Sequence, residues 1–447
     1  MQPIHRMVFN RARTLMQCYP NRILSKEAGS AVAAIFMGIG PDKSRSGIGV
    51  KVNAMPYFRH PVLRPLRTIP CFMGLVGLLL VSLTATSGTS TIKTVATFTG
   101  PNGKHPTASL TNVDGTLYGT TIGGGMGYGT LFSYDPSSGR LKMLASFNGS
   151  DGGLPLTGLT DFGGKLYGTT FIGGAAGYGT LYSYNPSKGH LKTLANFTGS
   201  GSNGMGASGL TAFGGMLYGT TDSGGTAGYG TLFSYDPKSG RLKTLASFMG
   251  SNGGLPRANL TGAGSKLYGT TFTGGTVGYG TLFSYDPKRT HLKTLASFIE
   301  SNGGLPLASL TGIGRKLYGT TFIGGRADYG TLFSYDPTDG RLKMLASFDG
   351  TDGALPQARL IAVCGTLYGT TTKGGAASHG TLFSYEPSTG VLRVLVSLRG
   401  NVGDDLTAVD GTLYSTTDSG GPAGDGTIVA YRLPNSLTGR SECGGSR

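Results

Sequence analysis

Leu117-Tyr118-Gly119-Thr120-Thr121, then a glycine-rich stretch, then Gly129-Thr130-Leu131-Phe132-Ser133-Tyr134, is the passage that decides the fold. The first string returns at Leu166, Leu217, Leu267, Leu317 and Leu367, and as Leu-Tyr-Ser-Thr-Thr at Leu413. The second returns at Gly179, Gly230, Gly280, Gly330 and Gly380, and decays to Gly-Thr-Ile-Val-Ala-Tyr at Gly426. Successive copies of the first string lie 49, 51, 50, 50, 50 and 46 residues apart. Seven units of that length match propeller blades and not the shorter ankyrin, tetratricopeptide or leucine-rich periods.

Each unit divides into four short strands separated by turn residues. In the fourth, Ala258–Ala263 is the first strand and Gly264-Ser265 the tight turn. Lys266–Phe272 is the second, followed by a Gly-rich loop to Tyr279. Gly280–Tyr285 is the third, Asp286-Pro287-Lys288-Arg289 a turn with proline at its second position, and His291–Phe298 the fourth. No apolar face recurs at helical spacing, and Tyr, Phe, Thr and Leu fill the runs, as pleated surfaces favour.

The two ends of the array complement each other. The seventh unit stops after its third strand, Gly426–Leu433, while Thr91–Phe98 stands alone before the first unit and aligns with the fourth strand Leu292–Phe298. Residues 91–433 number 343, or 49 for each of seven units. The reading is an all-β, seven-bladed propeller of four-stranded blades, its ring closed by the N-terminal strand completing the last blade. An open solenoid would need capping units.

Glycine contributes 80 of the 447 residues, tryptophan none, and only 13% are charged. The repeat accounts for the glycine, because every unit needs a Gly-rich loop and an Asx-Gly turn. The net charge of +16 is unevenly placed: residues 1–90 hold eleven Lys/Arg against Glu27 and Asp42, and residues 91–433 hold 25 basic against 19 acidic residues. The propeller region is therefore only mildly basic and lacks the dense basic stripe of a nucleic-acid binder. Residues 69–83 form a short apolar run after Arg59, Arg64 and Arg67 and before small residues, the layout of a secretory signal peptide or an uncleaved signal anchor. The expected organisation is an extension or mis-assigned start at 1–54, a leader at 55–88, the propeller at 91–433 and a polar tail at 434–447. The product is expected outside the cytoplasm, secreted or periplasmic, as a monomer that meets a membrane only through an uncleaved leader.

Several recurring residues read as architecture. Paired basic or His residues on the fourth strands (Arg140/Lys142, His190/Lys192, Arg241/Lys243, His291/Lys293, Arg341/Lys343) suit outer edges, where charge blocks edge-to-edge association. The Asp-Pro turns at Asp135, Asp236, Asp286 and Asp336 offer one carboxylate each and read as Asx turns, not cation sites. The Gly-rich loops lack the Gly-Lys-Ser/Thr of a phosphate cradle. No cofactor and no metal site are expected. The same loops carry Tyr128, Tyr178, Tyr229, Tyr279 and Tyr329, with His379 and Asp425 breaking the series. Amphipathic tyrosines suit a recognition surface, so these seven are the candidate ligand-binding residues, and no catalytic residue is identified.

The ordered strings Leu-Tyr-Gly-Thr-Thr, Tyr-Gly-Thr-Leu-Phe, Leu-x-x-Leu-x-Ser-Phe and Asp-Gly-x-x-Pro closely resemble the bacterial GloVer tandem repeat of the "choice-of-anchor" GloVer-containing proteins. The resemblance covers residues 91–433 and implies an exported bacterial protein, often surface-associated, of unestablished molecular function. Many relatives carry a C-terminal anchor segment, whereas this sequence ends in a short polar stretch. Three functions are open at this point. One is a non-enzymatic propeller binding a glycan, peptide or cell-envelope partner. The others are a polysaccharide hydrolase or lyase with its site in the central funnel, and a purely structural surface protein.

Overall fold

The computed structural model describes residues 91–199, 203–398 and 405–434. The leader at 55–88, the extension before it and nearly all of the C-terminal tail lie outside the described residues. What is described is a seven-bladed β-propeller of small antiparallel sheets. In the first blade the strands run outward as Thr111–Val113, Thr116–Thr121, Thr130–Asp135 and Arg140–Ser146. In the fourth they are Thr261–Ala263, Lys266–Thr271, Thr281–Asp286 and His291–Ser297. In the last blade Lys93–Thr97 pairs antiparallel with Thr427–Arg432, outside Thr412–Thr417 and Thr407–Val409, with Lys93 opposite Ala430.

The repeat motif is explained by what each residue meets. In the second strands Leu and Tyr point to opposite sheet faces, as period two requires. Leu267 packs toward the preceding blade with Tyr218, Leu232 and Phe248, while Tyr268 packs toward the next with Phe298, Leu317 and Phe333. The core is accordingly seven clusters, each between neighbouring blades, including one joining the last blade to the first through Phe98, Ile428, Leu117 and Phe132. The glycine of the motif makes room for a ring: a Cβ on Gly269 would fall 2.6 Å from the Phe283 ring edge on the adjacent strand. The final threonine closes the strand end. Thr271 Oγ1 donates to Thr273 O at 2.9 Å and accepts from Thr281 N at 3.0 Å, and the arrangement repeats at Thr121, Thr170, Thr221, Thr321, Thr371 and Thr417.

A second set of threonines ties blade to blade around the central channel. Thr111, Thr160, Thr211, Thr261 and Thr311, each first in an inner strand, donate through Oγ1 to the carbonyl of Leu159, Leu210, Leu260, Leu310 and Leu360 in the following blade. Thr407 does the same to Leu110 at 2.7 Å, across 297 residues of sequence. Only Ile361 interrupts the series, having no hydroxyl to donate.

Two details depart from the sequence reading. The inner strands have three residues, not six: Ala258 and Leu260 stay buried, but Asn259 N bonds to Ser309 Oγ of the next blade (2.9 Å) instead of to its own sheet. The third blade gains a short extra strand, Met205–Ala207, paired with Met216–Ser223. The equivalent loops contain Leu-Pro (Leu154-Pro155, Leu255-Pro256), and proline has no N–H for a ladder. Met205-Gly206-Ala207 lacks it and can pair.

Candidate functional site

Loops between second and third strands, and loops entering each new blade, emerge on one face. Tyr128, Tyr178, Tyr229, Tyr279 and Tyr329 all lie there, each leaning on the loop that enters the following blade. A Cβ on Gly149 would come within 3.0 Å of the Tyr128 ring, and one on Gly199 within 2.6 Å of Tyr178. Main-chain bonds lock the same junctions: Leu154, Leu255, Leu305 and Leu355 donate N–H to the carbonyls of Tyr128, Tyr229, Tyr279 and Tyr329 at 2.8 to 3.0 Å. The rings are thus distributed around the face, one per junction, and not gathered in one pocket. Their outer sides stay open, with Tyr128, Tyr178, Tyr229 and Tyr329 exposed by 37% to 44% and Tyr279 half-buried.

These loops hold most of the large apolar side chains left in water. Met126, Leu156, Met249, Val277 and Ile299 join the four exposed tyrosines, whereas Met143, Val391 and Val394 lie on outer strands. The Asx residues of the same face are turned inward: Asn102, Asp151, Asn252, Asn302 and Asp352 accept the N–H of Thr99, Asn148, Met249, Ile299 and Asp349 through a side-chain oxygen. The Asp-Pro turns, on the opposite face, are Asx turns, with Asp135, Asp236, Asp286 and Asp336 accepting the N–H two residues on. The hydroxyls of Ser138 and Ser137 hold the exposed Asp135 carboxyl down to about 2.

The two residues that break the tyrosine series behave differently. His379 is exposed. Asp425 carries the same junction bond, His105 N to its carbonyl at 2.8 Å, and its carboxylate meets Lys104 at 3.6 Å. Beside it His105 occupies the place of Leu154, Leu255, Leu305 and Leu355, all with φ between 51° and 56°. The His105 Nδ1 lies 2.9 Å from the carbonyl and 3.3 Å from Oδ1 of Asp418, which is 2% exposed. The bond to the Asp418 side chain raises the His105 pKa above its ordinary value, against the opposing effect of burial. A matching pair, Arg257 Nε and Asp222 Oδ1 at 3.4 Å, sits at the third-to-fourth junction, with the guanidinium 4.4 Å from the Phe272 ring centre. Neither pair is legible within a single repeat. The available signal was disagreement between repeats: Asp222 and Asp418 stand where other units have Phe171, Phe272 and Phe322.

The central channel encloses about 580 Å³, walled by the inner strands. Among the described residues that line it, Arg359 has the one charged side chain. Among the described residues no group of three or more His, Cys, Asp or Glu is placed to hold a metal ion.

A family model described as the Gloeobacter/Verrucomicrobia repeat matches residues 80–271 and 206–429, more than half of the chain. No curated protein matches. Two solved structures of the extracellular domain of one B. thetaiotaomicron protein, described in one as a hybrid two component system and in the other as a one component system, share the fold. They align with TM-scores of 0.52 and 0.50 at 15% identity, covering 77% and 76% of this chain and 40% of theirs. The chain therefore spans less than half the length of those domains.

Proposed function

The chain belongs to the Gloeobacter/Verrucomicrobia repeat family, and on that premise we propose that it is an exported, non-enzymatic binding propeller whose loop face engages a glycan, peptide or cell-envelope partner. The observation that carries this reading is the segregation of exposed apolar and aromatic side chains onto that face. A soluble surface rarely leaves such groups together unless they meet a partner, and Tyr supplies contact area at low entropic cost. Met126, Tyr128, Tyr229, Met249 and Val277 stand in water on loops anchored by main-chain bonds, so the surface is preorganised. Export is supported by the leader pattern at 55–88 and by the extracellular origin of the similar structures.

The test is binding of the full-length protein to arrayed glycans, purified peptidoglycan and envelope fractions, compared with Tyr229→Ala/Tyr279→Ala. Wild-type association that drops in the double variant supports the loop face. Association unchanged by the substitutions removes it, and turnover of a polysaccharide substrate would replace the binding reading with an enzymatic one.

A further inference from the structure

We infer that the central channel is a second site, separate from the loop face, that takes a neutral sugar residue. Its volume of about 580 Å³ lies within the span of small-molecule sites. The wall is regular where it serves the ring and irregular at one level. The inner-strand threonines are engaged by the carbonyls of the next blade. Two residues earlier in each unit, on the loop-face side, the repeats diverge: Ser109, Gly158, Gly209, Asn259, Ser309, Arg359 and Asp405. Gly158 and Gly209 are glycine because neighbours lie over them, a Cβ at either meeting Ser109 Oγ or the Asn259 amide within 2.5 Å. The divergent polar groups therefore spread along the channel wall.

Their chemistry selects the ligand. Arg359 is balanced by Asp405, whose Oδ2 lies 3.7 Å from Nε and whose Oδ1 accepts the Arg359 N–H at 2.6 Å. A neutralised pair favours a neutral ligand over an anion, while the guanidinium still presents donors to the channel. The Asn259 amide and the Ser109 and Ser309 hydroxyls each both donate and accept. Vicinal sugar hydroxyls have that same dual character. On the far side of the threonines, beside Asn112, Ala212, Ala362 and Ala408 with Gly262 and Gly312 offer C–H surface for the apolar faces of a pyranose ring.

The experiment titrates the full chain with the methyl glycosides of glucose, galactose, mannose and N-acetylglucosamine, with glucuronate as the anionic comparison, by saturation-transfer NMR and calorimetry. At least one neutral glycoside is expected to bind, and Arg359→Ala and Asn259→Ala each to weaken it about tenfold. Gly312→Leu provides a variant that keeps the fold, because a Cβ there meets nothing nearer than Leu317 Cδ2 at 4.0 Å. It should block the channel and abolish binding with an unchanged unfolding midpoint. Tyr229→Ala/Tyr279→Ala should leave glycoside binding intact, so the two sites fail or stand separately. Binding by no neutral glycoside, binding of glucuronate alone, or wild-type binding by folded Gly312→Leu would overturn the assignment.

Discussion

Ser415 and Val429 face each other across the second and third strands of the last blade, where the other six blades pair glycine with an aromatic ring. The two exceptions to the repeat explain one another. With the ring reduced to valine, the space that Gly269 leaves for Phe283 is free for a serine side chain. Gly269→Ser alone should therefore destabilise by about 1–3 kcal/mol through overpacking. Gly269→Ser/Phe283→Val should cost less than the sum of its parts, with a coupling of about 0.5–3 kcal/mol in a double-mutant cycle of unfolding midpoints.

Phe98, fully buried, stacks edge-on to Phe132 at 5.0 Å, as Phe298 does to Phe333 at 5.1 Å. If the N-terminal strand carries the last blade as the fourth strands carry the others, Phe98→Ala and Phe298→Ala should each cost about 3–5 kcal/mol. Thermal unfolding of both variants measures this. A Phe98 effect near zero would show that the terminal strand is dispensable.

Tyr182 stands where five other blades have Phe132, Phe233, Phe283, Phe333 and Phe383. It is fully buried, its hydroxyl has no hydrogen-bond partner among the described residues, and burial pushes its pKa up. Tyr182→Phe removes the orphaned hydroxyl and should stabilise the protein by about 1 kcal/mol in denaturant titration.

His105 makes stability depend on pH. Its folded pKa is raised above the ordinary 6.5, so the Asp418 pairing contributes fully below that value and is lost as pH rises through the folded pKa. The unfolding midpoint should accordingly fall on the alkaline side of about 6.5. His105→Leu/Asp418→Phe restores the residues other junctions use and should abolish that slope, with stability equal to wild type or higher by about 1–4 kcal/mol. An unchanged slope in the double variant would assign it elsewhere.

Much of the architecture was legible because each blade repeats one packing solution. The Leu-Tyr-Gly-Thr-Thr string encodes two opposed core contacts, a ring-sized gap and a strand-end clasp, and its spacing counts the blades. The orphan Thr91–Phe98 pointed to the pairing of Lys93–Thr97 with Thr427–Arg432. Interactions between blades were harder to read. Nothing local to Asp418 announces His105, 313 residues away, and only comparison of repeats would have marked both. The inner strands were overextended because burial of Ala258 and Leu260 resembles strand patterning, while the hydrogen bonds there go to a neighbour. The tyrosines could be picked out from the repeat, but not their contacts with the next blade, where the Tyr128 ring meets Gly149 and its carbonyl accepts from Leu154 N.

The pairing of Lys93 with Ala430 also sets a timetable. A strand made early must wait, unpaired on its ladder side, until the third strand of the seventh unit has been synthesised. Six blades can assemble as they emerge, by contacts local in sequence, but the last waits for the far end of the chain. Until Ile428 has been made, the cluster of Phe98, Leu117 and Phe132 is incomplete as well, so the first blade reaches its full packing no earlier than the last.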